Sequence, residues 1–163
     1  MSNRSGILIG VAILALVLLA QPAQAEQNPI QLSLFSPIQI VSEDNAISGV
    51  RLSLLYGRNT SVTGLDWGLV SHSTSGLSKG VQLGLVGLVD ADLVGFQSTA
   101  VNITNGDFEG FQWGIVNYAG HASGFQLGFV NYARTMRGLQ IGLVNIIKQN
   151  GQFPVFPIVN WSF

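Results

Sequence analysis

The residues able to do chemistry are few and scattered. His72 and His121 both stand in polar connectors with no second ligand at metal-binding spacing, so each is expected to be an exposed turn residue. Asp90-Ala91-Asp92 brings two carboxylates together, but an isolated turn lacks the further oxygen ligands of a calcium loop. Asp66 and Glu109 stand alone, and a glycan-cleaving site would need a second acid on the same face as Asp66. No serine occupies a Gly-x-Ser-x-Gly elbow, and Gly95 and its relatives open no phosphate cradle because no helical pattern follows them. The absence of Cys removes disulfides and thiolate metal sites. A net charge of −1 with 9% charged residues leaves no electrostatic footprint for nucleic acid. No catalytic, metal or cofactor-binding residue is assigned, no cofactor is implied, and an enzyme is not expected.

What does recur is the amide. Gln31, Gln82, Gln97, Gln112, Gln126 and Gln140 hold one position of a repeat, with Arg51 and Asp66 as substitutes, and Asn102, Asn117, Asn131, Asn145 and Asn160 hold another. The repeat is clearest in Gly110-Phe-Gln-Trp-Gly-Ile-Val-Asn117, Gly124-Phe-Gln-Leu-Gly-Phe-Val-Asn131 and Gly138-Leu-Gln-Ile-Gly-Leu-Val-Asn145. Weaker copies carry it to both ends of the chain, with units starting near 29, 49, 64, 80, 95, 110, 124, 138 and 153. After a first gap of 20 residues the spacing is 15, 16, 15, 15, 14, 14 and 15. A period this regular fixes architecture before any single residue does. Residues 26–163 therefore form a single repeat domain.

Within a unit the second, fourth and sixth positions are apolar, which is the period of a strand, and two glycines in eight residues argue against a helix. Each strand has an apolar face (Leu139, Ile141, Leu143) and a face nearly free of side chains (Gly138, Gln140, Gly142). The apolar face is expected to turn inward. A recurring apolar residue two before the next unit (Val62, Leu93, Phe108, Met136) adds a shorter inward side. The glutamines then admit two readings. One is structural, amides bonded along a stack with the asparagines at a corner. The other is functional, a flat outer face on which Gln82, Gln97, Gln112, Gln126 and Gln140 meet a partner.

Two all-β architectures accept nine such strands: a parallel β-solenoid of about nine 14–16-residue coils, or a small antiparallel outer-membrane β-barrel. Connectors of six to eight residues do not alternate short and long as barrel turns do. Three apolar positions span roughly 14 Å, short of the roughly 25 Å apolar band of a barrel. Pro29, Pro154 and Pro157 blunt the terminal units, as an open stack requires and a closing pair of strands does not. Trp113 follows Ser98 and Ala100 of the preceding unit, a large-beside-small pattern that fills an interior. Against these stands the ending Trp161-Ser-Phe163, which resembles the terminal signal of outer-membrane barrels; in a stack the same aromatics would cap the open end of the core. The solenoid is the expectation and the barrel its alternative.

At the N-terminus, Arg4, the apolar run Gly6–Ala20 and the small-residue site Ala23-Gln24-Ala25 have the layout of a secretory signal peptide, residues 1–25. The tandem units, the entry segment Pro29-Ile-Gln-Leu-Ser-Leu-Phe35 and the ending Phe153-Pro-Val-Phe-Pro-Ile-Val-Asn-Trp-Ser-Phe163 resemble a family of bacterial surface-repeat proteins built from Gly-Leu-Gln-x-Gly-Leu-Val-Asn units. The resemblance covers about residues 29–163. It implies an exported protein of the bacterial cell envelope (periplasm, outer membrane or cell surface) and carries over no catalytic residue. The coil 95–102 departs from the pattern at Ser98, Thr99 and Ala100, which could mark a thinner core or a bend. The function expected is therefore non-enzymatic, a structural or protein-interaction surface. Its partner would be another envelope protein, a second copy or a surface polymer, with association to a membrane also open. The alternatives are a barrel acting as anchor or pore and, less favoured, a glycan-binding or glycan-active solenoid.

Overall fold

The computed structural model describes residues 28–163, so the signal-peptide expectation for residues 1–25 lies outside the described residues. Nine strands follow one another: β1 (Asn28–Phe35), β2 (Ile38–Gln39), β3 (Ile47–Asn59), β4 (Val62–Ser73), β5 (Leu77–Val89), β6 (Asp92–Trp113), β7 (Val116–Leu127), β8 (Val130–Ile147) and β9 (Val155–Ser162). They form one sheet in the order β2-β1-β3-β4-β5-β6-β7-β8-β9. Every pairing from β1–β3 to β7–β8 is parallel. The architecture is a parallel β-solenoid and not a barrel.

The register follows the repeat. Gly110 pairs with Gly124 and Gly124 with Gly138; Gln112, Gln126 and Gln140 align in the same way, as do Asn117 and Asn131. Equivalent positions thus form columns parallel to the axis, one residue from each coil at about 4.8 Å spacing. Eight units stack in parallel, those starting at 29, 49, 64, 80, 95, 110, 124 and 138. The ninth does not. β9 runs antiparallel to β8, with Asn160 opposite Gln140 and Trp161 opposite Leu139, so this segment closes the stack as a hairpin. β2 folds back antiparallel on β1 at the other end. Phe163 is 94% exposed and takes no part in covering the core.

The interior reverses the expectation for the repeat faces. The apolar second, fourth and sixth positions point outward: Trp67, Leu69, Trp113, Phe125, Phe129 and Leu143 are all exposed. The glutamines and asparagines point inward and are fully or almost fully buried. Alternation with period 2 says which residues share a face, and cannot say which face is inside. The shorter apolar side does turn inward as expected, with Val62, Leu93, Phe108 and Met136 buried. Leu93, Phe108 and Met136 join Val89, Ala119, Ala122, Ala133 and Ile147 in a narrow apolar core along one side of the interior. Size matching along the axis operates here, where Ala122 lies between Phe108 and Met136. Trp113, above Ser98 and Ala100, is on the outside, so that pair matches no interior volume.

Glycine at the first position of the unit is a packing requirement. Gly124 holds φ at +129°, and a Cβ there would collide with the carbonyl oxygen of Gly110 in the coil below. Gly76 also has a positive φ, +74°, but a Cβ there would make only an ordinary contact, with Ser61 at 3.8 Å. Gly124→Ala is expected to lose more stability than the roughly 1–3 kcal/mol of a strained backbone alone, and Gly76→Ala to lose no more than that. Thermal or urea melts of the two variants check the order.

Candidate functional site

The buried amides form a directed chain. Gln140 donates through Nε2 to Oε1 of Gln126 at 2.7 Å, Gln126 to Gln112 at 2.6 Å, Gln112 to Gln97 at 2.8 Å and Gln97 to Gln82 at 2.7 Å. Gln82 donates to Oδ2 of Asp66 at 2.7 Å. From the other side Arg51 donates to Asp66 through Nε (2.8 Å) and Nη2 (2.7 Å), and the Ser71 hydroxyl adds a bond at 3.0 Å. A carboxylate accepts only and a guanidinium donates only, so Asp66 and Arg51 orient the whole ladder. The second N–H of Gln97, Gln112, Gln126 and Gln140 goes to a backbone carbonyl of its own or a neighbouring coil, such as Tyr118 for Gln112 and Tyr132 for Gln126. Asn102, Asn117, Asn131 and Asn145 form a second ladder that donates in the opposite direction, at 2.7, 2.7 and 2.8 Å.

This placement removes the expected interaction face. Gln82, Gln97, Gln112, Gln126 and Gln140 are 0–3% exposed and bonded to one another along the stack, so no partner reaches them. The ladder reading of these residues holds, and the flat outer face does not exist. A charged residue introduced in this column without a counter-charge would be an unpaired buried ion, which such an interior does not accommodate. Asp66 is likewise committed, within a bidentate ion pair whose two side chains are 0% and 4% exposed. It has no freedom to act as an acid.

The polar residues dismissed as isolated fare differently from one another. His121 is exposed as expected and bonds Thr135 of the next coil at 2.6 Å. His72 is not an exposed turn residue: it is half-buried between Tyr56, whose hydroxyl lies 2.8 Å from Nδ1, and Asp90, whose Oδ2 lies 2.8 Å from Nε2. Three successive coils thus contribute one side chain each to a Tyr-His-Asp chain. The signal that could have found it was the coil period, since Tyr56 and Asp90 are 16 and 18 residues from His72, close to one turn of the stack. As a nucleophile relay the chain is poorly set. Desolvation by burial raises the Tyr56 hydroxyl above its ordinary 10.0, which keeps it protonated and donating to the imidazole. Asp90 and Asp92 do not converge on a cation: Asp90 Oδ1 accepts from Asn105 and Asp92 Oδ1 from the Asp107 backbone N–H.

The feature that reasoning from the repeat missed is the outside. Columns two, four and six present Leu65, Trp67 and Leu69 in one coil and Phe125, Leu127 and Phe129 in another. The sixth and seventh positions both turn outward before the asparagine turns in, so the chain rounds a corner there. Along the glycine column between positions four and six run two apolar clefts. One, of about 980 Å³, lies between Leu32, Leu54, Trp67 and Leu85, with Ile38 and Ile40 at its end. The other, of about 460 Å³, lies between Trp113, Leu127, Phe129 and Ile158. Ser98 and Ala100 separate them, so the thin place in coil 95–102 is in the outer surface. Comparison with protein families, with curated proteins and with solved structures finds no match for this chain.

Gln112→Leu removes a link with bonds on both sides and is expected to cost about 2–4 kcal/mol, as two buried partners lose a bond. Gln140→Leu is expected to cost about half as much, because Oε1 of Gln140 already has no partner. Urea unfolding of both variants checks the ratio. For Tyr56 the raised value means that folding favours the protonated form, so its contribution is complete below about pH 10 and is lost as pH rises through the folded-state value. Melting temperatures between pH 9 and 11.5 should fall more steeply for the parent chain than for Tyr56→Phe.

Proposed function

We propose that this is a non-enzymatic repeat protein of the bacterial cell envelope, exported through its N-terminal segment, whose working part is an interaction surface. That surface is the apolar side of the solenoid. The single observation that carries the reading is the division of the exterior. In the eight parallel units, positions one to eight carry no charged residue except the inward-facing Arg51 and Asp66. The exposed charges, among them Lys79, Asp90, Glu109, Arg134, Arg137 and Lys148, lie elsewhere on the coil. Soluble proteins seldom leave an apolar patch of this extent uncovered unless something binds it. The polar groups able to do chemistry are bonded to one another, which favours a surface over a catalyst. Membership of the surface-repeat family that the units resemble belongs to the same proposal.

The experiment is expression of the full chain with a C-terminal tag in a Gram-negative host, followed by fractionation and N-terminal sequencing. A mature start near Glu26 and recovery in envelope or shed fractions is the expected result. Cytoplasmic protein with its first 25 residues intact would overturn the export part of the reading.

A further inference from the structure

We propose that the apolar side is covered by the hydrocarbon margin of a lipid leaflet, the solenoid lying with its axis along the membrane surface and immersed through columns two to seven. The inference rests on the reading of the apolar side as the working surface, and is independent of the route by which the protein arrives there.

Four observations select lipid over a protein partner. The first is charge. Positions one to eight of the eight parallel coils carry no outward charge, and the segment 153–163 adds none. A protein interface normally mixes a polar rim and hydrogen-bonding groups into its apolar area. The second is shape. The apolar columns wrap the corner at positions six and seven, so a copy packed flat on one side of that corner covers a strip of about 34 by 14 Å, given a rung spacing near 4.8 Å and a rise near 3.4 Å. That is well below the roughly 800 Å² per partner of a stable interface. A fluid medium has no such difficulty with a corner.

The third is the backbone. An apolar medium accepts only backbone whose N–H and C=O groups are satisfied within the fold. Here the coils pair with the coils above and below, and β2 and β9 fold over the two ends, with Pro154 and Pro157 presenting no N–H at all. The fourth is the margins. Tyr118 and Tyr132 stack face to face at 4.9 Å just beyond the apolar columns on one side. On the other, the residue before each unit's first glycine includes Lys79 and Arg137 as well as Glu109. Tyrosine and long cations are the residues that sit at the level of lipid headgroups, with stems in the apolar layer and tips in water. The two clefts give acyl chains a place to enter between the columns. Ile158 belongs to this surface: it is 72% exposed at a φ of +69°, a costly conformation for a β-branched residue, and it lines the smaller cleft.

The test uses the purified full chain and vesicles of zwitterionic phosphatidylcholine with brominated acyl chains. The three tryptophans are Trp67, Trp113 and Trp161, all within the solenoid, so their quenching reports the apolar side whatever residues 1–27 do. Quenching that persists at high salt is expected. Leu69→Asp combined with Phe129→Asp changes two exposed residues and should leave the circular dichroism and melting temperature unchanged. It should weaken partitioning about tenfold per aspartate, since a carboxylate in hydrocarbon is strongly disfavoured. Unquenched tryptophans together with a discrete dimer that the double variant dissociates would overturn lipid as the partner and leave the surface itself intact. Unquenched tryptophans in a monomer would overturn both.

Discussion

The structure depends on one hand-over, the hydrogen bond that each buried ladder amide passes to a neighbouring coil. An amide stacked at the strand spacing of about 4.8 Å can donate to the next amide's oxygen while its second N–H meets a backbone carbonyl. That geometry is available only if the coils are parallel and in register, and if the backbone on either side of the glutamine comes close. Gly124 and its equivalents permit the approach, because any side chain there would strike the coil beneath. A ladder of identical amides has no preferred direction by itself. Asp66 supplies one, as an acceptor that must be met by donors from both sides, and Arg51 closes the series without leaving a net charge inside. A buried pair of this kind adds little net stability over an apolar replacement, but losing one partner is costly, so it acts as a lock on register.

A polar interior alters what holds the fold together. Full apolar burial is concentrated in the columns containing Phe108, Met136, Val89 and Ile147, while the larger set of leucines, phenylalanines and tryptophans stays about half-exposed. Each such side chain forgoes about half of the roughly 1.5–3 kcal/mol that full burial would contribute. The stack in water is therefore held by satisfied hydrogen bonds and a thin core, and a medium that covers the outside adds to the stability of the folded state by mass action. Fold and function are linked through that term.

Much of this was legible in the sequence. The unit starts, the strand period and the parallel stacking followed from spacing and composition, as did the amide ladder and the inward turn of Val62, Leu93, Phe108 and Met136. The side on which the main apolar columns lie was not legible. Gly-Phe-Gln-Leu-Gly-Phe alternates equally well with either set inward, and burial of apolar groups is the stronger prior until the amides are seen to satisfy one another. The same error placed Trp113 and Ser98 inside, and made the glutamines a surface. The unit starting at 153 matched the repeat in composition, yet its chain direction is set by the turn at residues 148–154, which composition does not encode. The Tyr56-His72-Asp90 chain was hidden because contacts along a solenoid join residues one period apart, and a search for local motifs does not look there.

Coil 95–102 shows how closely interior and exterior are tied. Below it, the eighth column holds Gly57, Ser71 and Gly87, leaving the interior to the wide Arg51–Asp66 pair. At this coil the asparagine ladder begins, and Thr99 replaces the usual fifth-position glycine. Its hydroxyl lies 2.6 Å from Asn102 Oδ1, which also accepts the Thr99 backbone N–H at 3.1 Å. That fixes the amide of the ladder's first donor, Asn102, as Asp66 fixes that of the other ladder's last donor, Gln82. On the outside the flanking positions shrink to Ser98 and Ala100, and the apolar surface divides into two clefts. The rod is thus two modules with different interiors, an ionic one toward the N-terminal end and an amide one toward the C-terminal end, joined at a coil that starts one ladder and transmits the other. An apolar surface interrupted at that junction is what two modules, each presenting its own cleft to the same layer, would leave.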